Sequence, residues 1–165
     1  MENKDASDIF AFAIDAEREG EKLYRSLAAR SAHLGIRSIF NSLADDEVKH
    51  VEVLRQLQQN ITPELAKTAV LRGAKNLFAD MAVKKDFRAA GDELELYQKA
   101  FDMERKSRDF YQARADAAEK GAKDVFSLLA GEESRHMFLI ENMIEFISRP
   151  GAWLENAEFN HLEEY

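Results

Sequence analysis

Two stretches of this chain carry the same alternating rhythm, and that rhythm leaves few folds open. Ile36, Phe40, Leu43, Glu47, His50, Leu54 and Leu57 follow one another at steps of four and three. Ala122, Phe126, Leu129, Glu133, His136, Ile140, Met143 and Ile147 repeat the alternation. Such steps return to one side of an α-helix, so each series marks the core-facing stripe of a bundle helix. Each stripe is apolar except at two places. In both, those places are a Glu and, three residues later, a His.

The stripes belong to a longer repeat. Phe40-Asn41-Ser42-Leu43-Ala44-Asp45-Asp46-Glu47 answers Phe126-Ser127-Leu128-Leu129-Ala130-Gly131-Glu132-Glu133. Ala13-Ile14-Asp15-Ala16-Glu17 answers Ala100-Phe101-Asp102-Met103-Glu104, and Tyr24 answers Tyr111. One helical hairpin is thus written twice. Helices are expected over about 6–31, 35–59, 92–118 and 122–148. Ser7 or Asp8 and Asp92 mark starts, and breaks fall at His33-Leu34-Gly35, Asn60-Ile61-Thr62-Pro63, Lys120-Gly121 and Pro150-Gly151. Only 7 Gly and 2 Pro in 165 residues suit long helices and disfavour a loop-rich β-fold. Residues 60–91 must carry the chain from one hairpin to the other. The expected fold is therefore all-α: a four-helix bundle with one long crossover, over residues 1–150. Leu77, Phe78, Met81 and Phe87 suggest that the crossover is partly helical and packs on the bundle. The acidic tail, 151–165, interleaves Trp153, Phe159 and Tyr165 and is free to dock on the bundle or on a second subunit.

Three-residue spacing places Glu47 with His50, and Glu133 with His136, on one helix face a turn apart. In an antiparallel pair, residues equidistant from the turn lie at one height. Glu17 and the Glu47/His50 pair are centred near His33; Glu104 and the Glu133/His136 pair are centred near Glu119. All six can converge on one layer. An ionised carboxylate taken out of water costs several kcal/mol, and four together exceed a whole domain's stability of about 5–15 kcal/mol. Two divalent cations would balance four glutamates. This is the Glu-x-x-His signature of di-metal carboxylate bundles. Buried, protonated or salt-bridged glutamates are the alternative, but no Lys or Arg occupies the two stripes. Tyr24 and Tyr111 each lie two turns beyond a lone glutamate, Glu17 and Glu104, and are either phenols that orient ligand carboxylates or plain core aromatics. Gly20 and Ser107, one turn beyond the same glutamates, would leave room for a solvent-derived bridge or a small oxidant. His33 reads as a solvated turn residue. Glu158 and His161 repeat the spacing off any apolar stripe and read as tail surface.

With no cysteine, disulfides, thiolate metal sites and cysteine nucleophiles are excluded. Carboxylates and imidazoles suit iron, manganese or zinc. A net charge of −8 argues against a nucleic-acid surface and against anionic membranes. No secretory signal or membrane span is visible, so a cytoplasmic location is expected.

These residues together resemble the rubrerythrin branch of the ferritin-like superfamily, over roughly residues 6–59 and 92–148. The elements that carry the resemblance are Ala13-Ile14-x-x-Glu17 with Tyr24, Leu43-Ala44-x-x-Glu47-x-x-His50, Glu104 with Tyr111, and Leu129-Ala130-x-x-Glu133-x-x-His136. The resemblance implies a ferritin-like bundle with two iron ions, peroxide or dioxygen chemistry, and a homodimer. It implies Glu17, Glu47, Glu104 and Glu133 as carboxylate ligands, Glu47 and Glu133 as bridges, and His50 and His136 as terminal nitrogen ligands. Rubrerythrins proper add a cysteine-ligated rubredoxin site, absent here, so electrons would come from a separate rubredoxin-type or flavin protein. They also carry one further glutamate about where Ser107 stands, which removes the residue a redox-linked ligand exchange would use. Three roles follow: a peroxide-reducing enzyme, an iron-handling ferroxidase module without turnover, or an interaction protein stapled by metal.

Overall fold

The computed structural model describes residues 2–61 and 93–148, together with positions 63, 68, 70, 71, 74 and 77. Four helices make up the bundle: α1 (Glu2–Arg30), α2 (Leu34–Gln58), α3 (Glu93–Ala117) and α4 (Lys120–Ser148). Backbones run closest within the hairpins α1–α2 and α3–α4. Between hairpins they meet through α1 with α3 and α2 with α4. The C-terminal half of α1 packs with the start of α3, so these two run antiparallel, as α2 and α4 do. A crossover spanning the bundle's length is what this topology needs.

The turns differ from the sequence reading in physical detail. His33 is not merely solvated. It caps α2, its Nδ1 accepting from the Gly35 amide at 3.2 Å, which satisfies one of the unpaired N–H groups of the first turn. The second hairpin turns earlier than Lys120-Gly121. α4 begins at Lys120, with the Glu119 carbonyl just before it accepting from the Lys123 amide, and Gly121 sits inside the first turn without needing positive φ. At the other end of α2, Asn60 takes φ 57°, while Ile61 N bonds Gln56 O and Asn60 N bonds Leu57 O, each at 2.9 Å. That pair of bonds is a Schellman cap with Asn in the left-handed position.

The core is divided. One apolar cluster, with Tyr24, Ile36, Phe40, Leu43, Tyr97, Leu139 and Met143, fills the end near the α1–α2 turn. A second, with Ile14, Val51, Leu54, Tyr111, Phe126 and Leu129, fills the other end. Between them lies a polar layer. Val70 and Ala74 of the crossover are buried in the first cluster and Leu77 packs against it. Gly35 is needed there, since a Cβ would stand 1.9 Å from Leu77 Cδ1. Phe78, Met81, Phe87 and the tail, with Trp153, Phe159, Tyr165, Glu158 and His161, lie outside the described residues. Among the described residues, no helix is long and apolar enough to cross a membrane.

Candidate metal centre

The polar layer is built by the four helices in register. On α2 and α4 the stripe turns Glu47, His50, Glu133 and His136 inward. On α3 the buried series Tyr97, Ala100, Glu104, Tyr111 and Ala115 returns at helical spacing, and on α1 Glu17 follows Ala13 and Ile14. All six sequence-selected residues are at most 2% exposed, which brings four carboxyl groups and two imidazoles into one dry space.

They form two overlapping sets. Glu17, Glu47, His50 and Glu133 make one, and Glu47, Glu104, Glu133 and His136 the other. Within each, the ligand-type atoms lie within 4.8 Å of one another. Glu47 and Glu133 are common to both. His50 Nδ1 stands 3.2 Å from Glu17, 3.3 Å from Glu47 and 3.0 Å from Glu133. His136 Nδ1 stands 3.4 Å from Glu104 and 3.6 Å from both Glu47 and Glu133. The two rings stack at 20° with centroids 5.6 Å apart. Each set therefore offers one terminal Glu, one His and a half-share in two central carboxylates.

Several of these atoms have no hydrogen-bond partner: Glu47 Oε1, both oxygens of Glu133 and both ring nitrogens of His136. An unsatisfied buried polar atom costs about 1–3 kcal/mol, and five occur together in one layer. Oxygen and imidazole donors converging on two points fit divalent transition ions of the iron, manganese or zinc kind, and coordination would satisfy the orphaned carboxylate oxygens and one ring nitrogen of His136.

The tyrosines bond across the hairpins. Tyr24 of α1 donates to Glu104 of α3, and Tyr111 of α3 donates to Glu17 of α1. Each phenol thus orients the terminal glutamate of the opposite hairpin. Burial, reinforced by the neighbouring carboxylates, pushes both phenols well up, so they stay protonated donors. Gly20 does not leave a void. A Cβ there would come within 3.3 Å of Glu47 Cδ and of Met103 Cε, so its small size admits the central carboxylate itself. Ser107, by contrast, lines a cleft of about 520 Å³ between α1 and α3 that reaches Met103 and Tyr111.

Without a cation, the side chains divide their protons unevenly. Burial and then the Glu17, Glu104 and Glu133 charges push Glu47 well up. Burial and the charges of Glu104 and Glu17 push Glu133 up to about 8. Burial also opposes ionisation of Glu104, but the adjoining Glu133 carboxyl, the His136 charge and Tyr24 outweigh it and bring Glu104 down to about 2. At Glu17 burial is likewise outweighed by Glu47, His50 and Tyr111. Burial works against a charged imidazole, yet the surrounding carboxylates raise both His50 and His136. These shifts favour ionised Glu17 and Glu104 and charged imidazoles, with Glu47 and Glu133 protonated, in the metal-free layer.

Sequence reasoning passed over three participants. Asp46 is 4% exposed, and its Oδ2 faces His136 Nε2 at 3.6 Å. Burial opposes its ionisation, but His136, Lys49 and Thr68 hold it well below the usual carboxylate range. Glu132 is 1% exposed and binds Arg135 at 2.5 Å. Thr68 of the crossover touches both carboxylates. The available signal was the acidic residue directly before each stripe glutamate, Asp46-Glu47 and Glu132-Glu133, at matched repeat positions.

A family model described as Rubrerythrin matches residues 8–137, a span that holds all six residues of the layer. Comparison with curated proteins and with solved structures found no match.

Proposed function

The chain belongs to the rubrerythrin family, and from that premise we propose that it is a non-haem di-iron oxidoreductase. It reduces hydrogen peroxide, or dioxygen, with electrons from a separate donor protein. The observation that supports this most is the sharing of Glu47 and Glu133 between two otherwise distinct ligand sets. Glu17 and His50 would hold one iron ion, Glu104 and His136 the other, with Glu47 and Glu133 bridging. Iron(II) held at both positions would supply the two electrons that, with two protons, reduction of peroxide to two waters requires.

The chain's own residues set the conditions for that chemistry. Tyr24 and Tyr111 fix Glu104 and Glu17 and keep their protons. Apolar clusters on either side of the layer keep bulk water away, which strengthens every charge interaction inside it. The cleft beside Ser107 gives a small oxidant an approach between α1 and α3. This chain has no cysteine, so it holds no thiolate iron site, and a rubredoxin-type or flavin protein would serve as donor. A homodimer and a cytoplasmic location complete the proposal, with manganese or zinc as competing occupants.

Stopped-flow mixing of the iron(II)-loaded protein with peroxide tests it. Iron oxidation much faster than that of free iron(II), followed by re-reduction with an added donor, is the expected result. Oxidation no faster than in free solution sinks the proposal. Ser107, standing where a ligand carboxylate would be expected from the resemblance, favours a second reading, iron handling without turnover. Oxidised iron leaving the protein, with no benefit from added reductant, would support that reading instead.

A further inference from the structure

Thr68 lies in the crossover, outside both repeated hairpins, yet it reaches the metal layer from two sides. Its hydroxyl donates to Asp46 Oδ2 on α2. Its amide donates to Glu132 Oε2 on α4 at 2.9 Å. The hydroxyl oxygen in turn accepts from the Val70 amide at 3.2 Å. One residue thus ties together the two buried carboxylates that directly precede the central glutamates Glu47 and Glu133.

The same Asp46 oxygen that takes the Thr68 proton also faces His136 Nε2 at 3.6 Å, while Lys49 Nζ holds the other oxygen at 2.5 Å. We propose that Thr68 is a positioning residue of the metal centre: it locks Asp46 against His136, so that docking of the crossover and occupation of the metal position at His136 reinforce each other. This rests on the metal-centre reading above.

The chemistry runs through the imidazole. A histidine that ligates a metal needs its second N–H accepted, and a carboxylate is a strong acceptor for it. At 3.6 Å, Asp46 Oδ2 stands just outside hydrogen-bond reach of Nε2 in the metal-free layer, and a small approach would give an Nε2–H its acceptor. The lone pair of Nδ1 is then left for the space shared by Glu47, Glu104 and Glu133. Lys49 alone is a poor anchor for Asp46, because its side chain is 56% exposed and is free to swing into water. Thr68 is short, β-branched and held at both its amide and its hydroxyl, so it fixes the carboxylate with little rotamer freedom to lose. Binding linkage is reciprocal: whatever the docked crossover adds to metal affinity, the metal returns to docking.

A merely structural Thr68 would glue the crossover down and leave the ligand untouched, so the test reads the metal. The full chain, metal-free, is titrated with cobalt(II), and the two binding steps are followed by absorption. Wild type is expected to take two ions. Thr68→Val, which keeps the shape and removes the hydroxyl, is expected to weaken one step by roughly 10–100-fold and leave the other unchanged. Thr68→Ser is expected to restore both steps. Asp46→Asn is expected to weaken the same step, with Thr68→Val adding nothing further on that background. Wild-type binding of both ions by Thr68→Val overturns the proposal. So does equal weakening of both steps that adds to the Asp46→Asn effect and tracks a lower melting temperature. A wild-type protein that takes no pair of ions defeats the metal-centre reading itself, whatever Thr68 does.

Discussion

Loading the metal-free protein with two divalent ions should release close to four protons near pH 6. The count comes from the layer. Glu47 and Glu133 are held protonated, the latter to about 8, and His50 and His136 are held as imidazolium ions. Glu17 and Glu104 are already ionised. Ligation requires four carboxylates and two free Nδ1 lone pairs, so each of the four protonated groups must give up a proton. Apparent affinity for the ion pair then climbs by up to about 10⁴ per pH unit, and the slope relaxes above pH 8 as Glu133 loses its proton unaided. Calorimetric titration with zinc(II) in buffers of different ionisation enthalpy measures the count without redox side reactions. Release of about one proton or none at pH 6 would mean that the carboxylates ionise freely despite burial and mutual repulsion, and the reasoning would fail. The same shifts act on metal-free stability. A raised group binds more protons folded than unfolded. Its contribution is complete below the ordinary value, 4.5 for Glu133 and 6.5 for His50, and fades as pH rises through the folded value. Each group contributes a slope of up to about 1.4 kcal/mol per pH unit. The lowered groups Glu17 and Glu104 act the other way: their contribution is present above the ordinary value of 4.5 and is lost as pH falls through the folded value, about 2 for Glu104. Metal-free protein should therefore melt at lower temperature as pH rises from 5 to 8, with the gap to zinc-loaded protein widening.

Further substitutions probe single contacts. Tyr111→Phe removes the donor to Glu17 and should cost about 1.5–3 kcal/mol in chemical denaturation of the metal-free protein, as expected for a buried hydrogen bond to a charged group; a cost near zero would show that the phenol only fills space. Gly20→Ala should gain up to about 1 kcal/mol of helix propensity yet weaken zinc(II) binding, because the new Cβ sits 3.3 Å from Glu47 Cδ; unchanged affinity would contradict the tight seat of Glu47. Gly35→Ala places a Cβ 1.9 Å from Leu77 Cδ1 and should destabilise by about 1–3 kcal/mol, the usual cost of overpacking, as read by thermal melting.

Much of the buried polar layer was legible because its residues interrupt an otherwise apolar stripe. Glu47, His50, Glu133 and His136 occupy helix positions where Leu or Phe is expected, and periodicity exposes them. Glu17 and Glu104 were found from hairpin symmetry, which fixes height. The crossed pairing of Tyr24 with Glu104 and Tyr111 with Glu17 was not legible, since it depends on α1 and α3 running antiparallel at close range. Asp46 and Glu132 were not singled out because they stand one residue off the stripe. Their shared partner, Thr68, comes from the crossover, and no periodicity announces it. His33 was misread because a turn residue and an N-cap look alike until the following helix begins at Leu34. Gly20 was misread as a void because the residue that fills it, Glu47, comes from another helix.

Anomalous diffraction at the iron edge, on crystals of protein purified without added metal, bears most directly on the centre. Two peaks should stand out, one among Glu17, Glu47, His50 and Glu133 and one among Glu47, Glu104, Glu133 and His136. A layer with no peak, or with one ion that leaves Glu47 or Glu133 uncoordinated, would contradict the account.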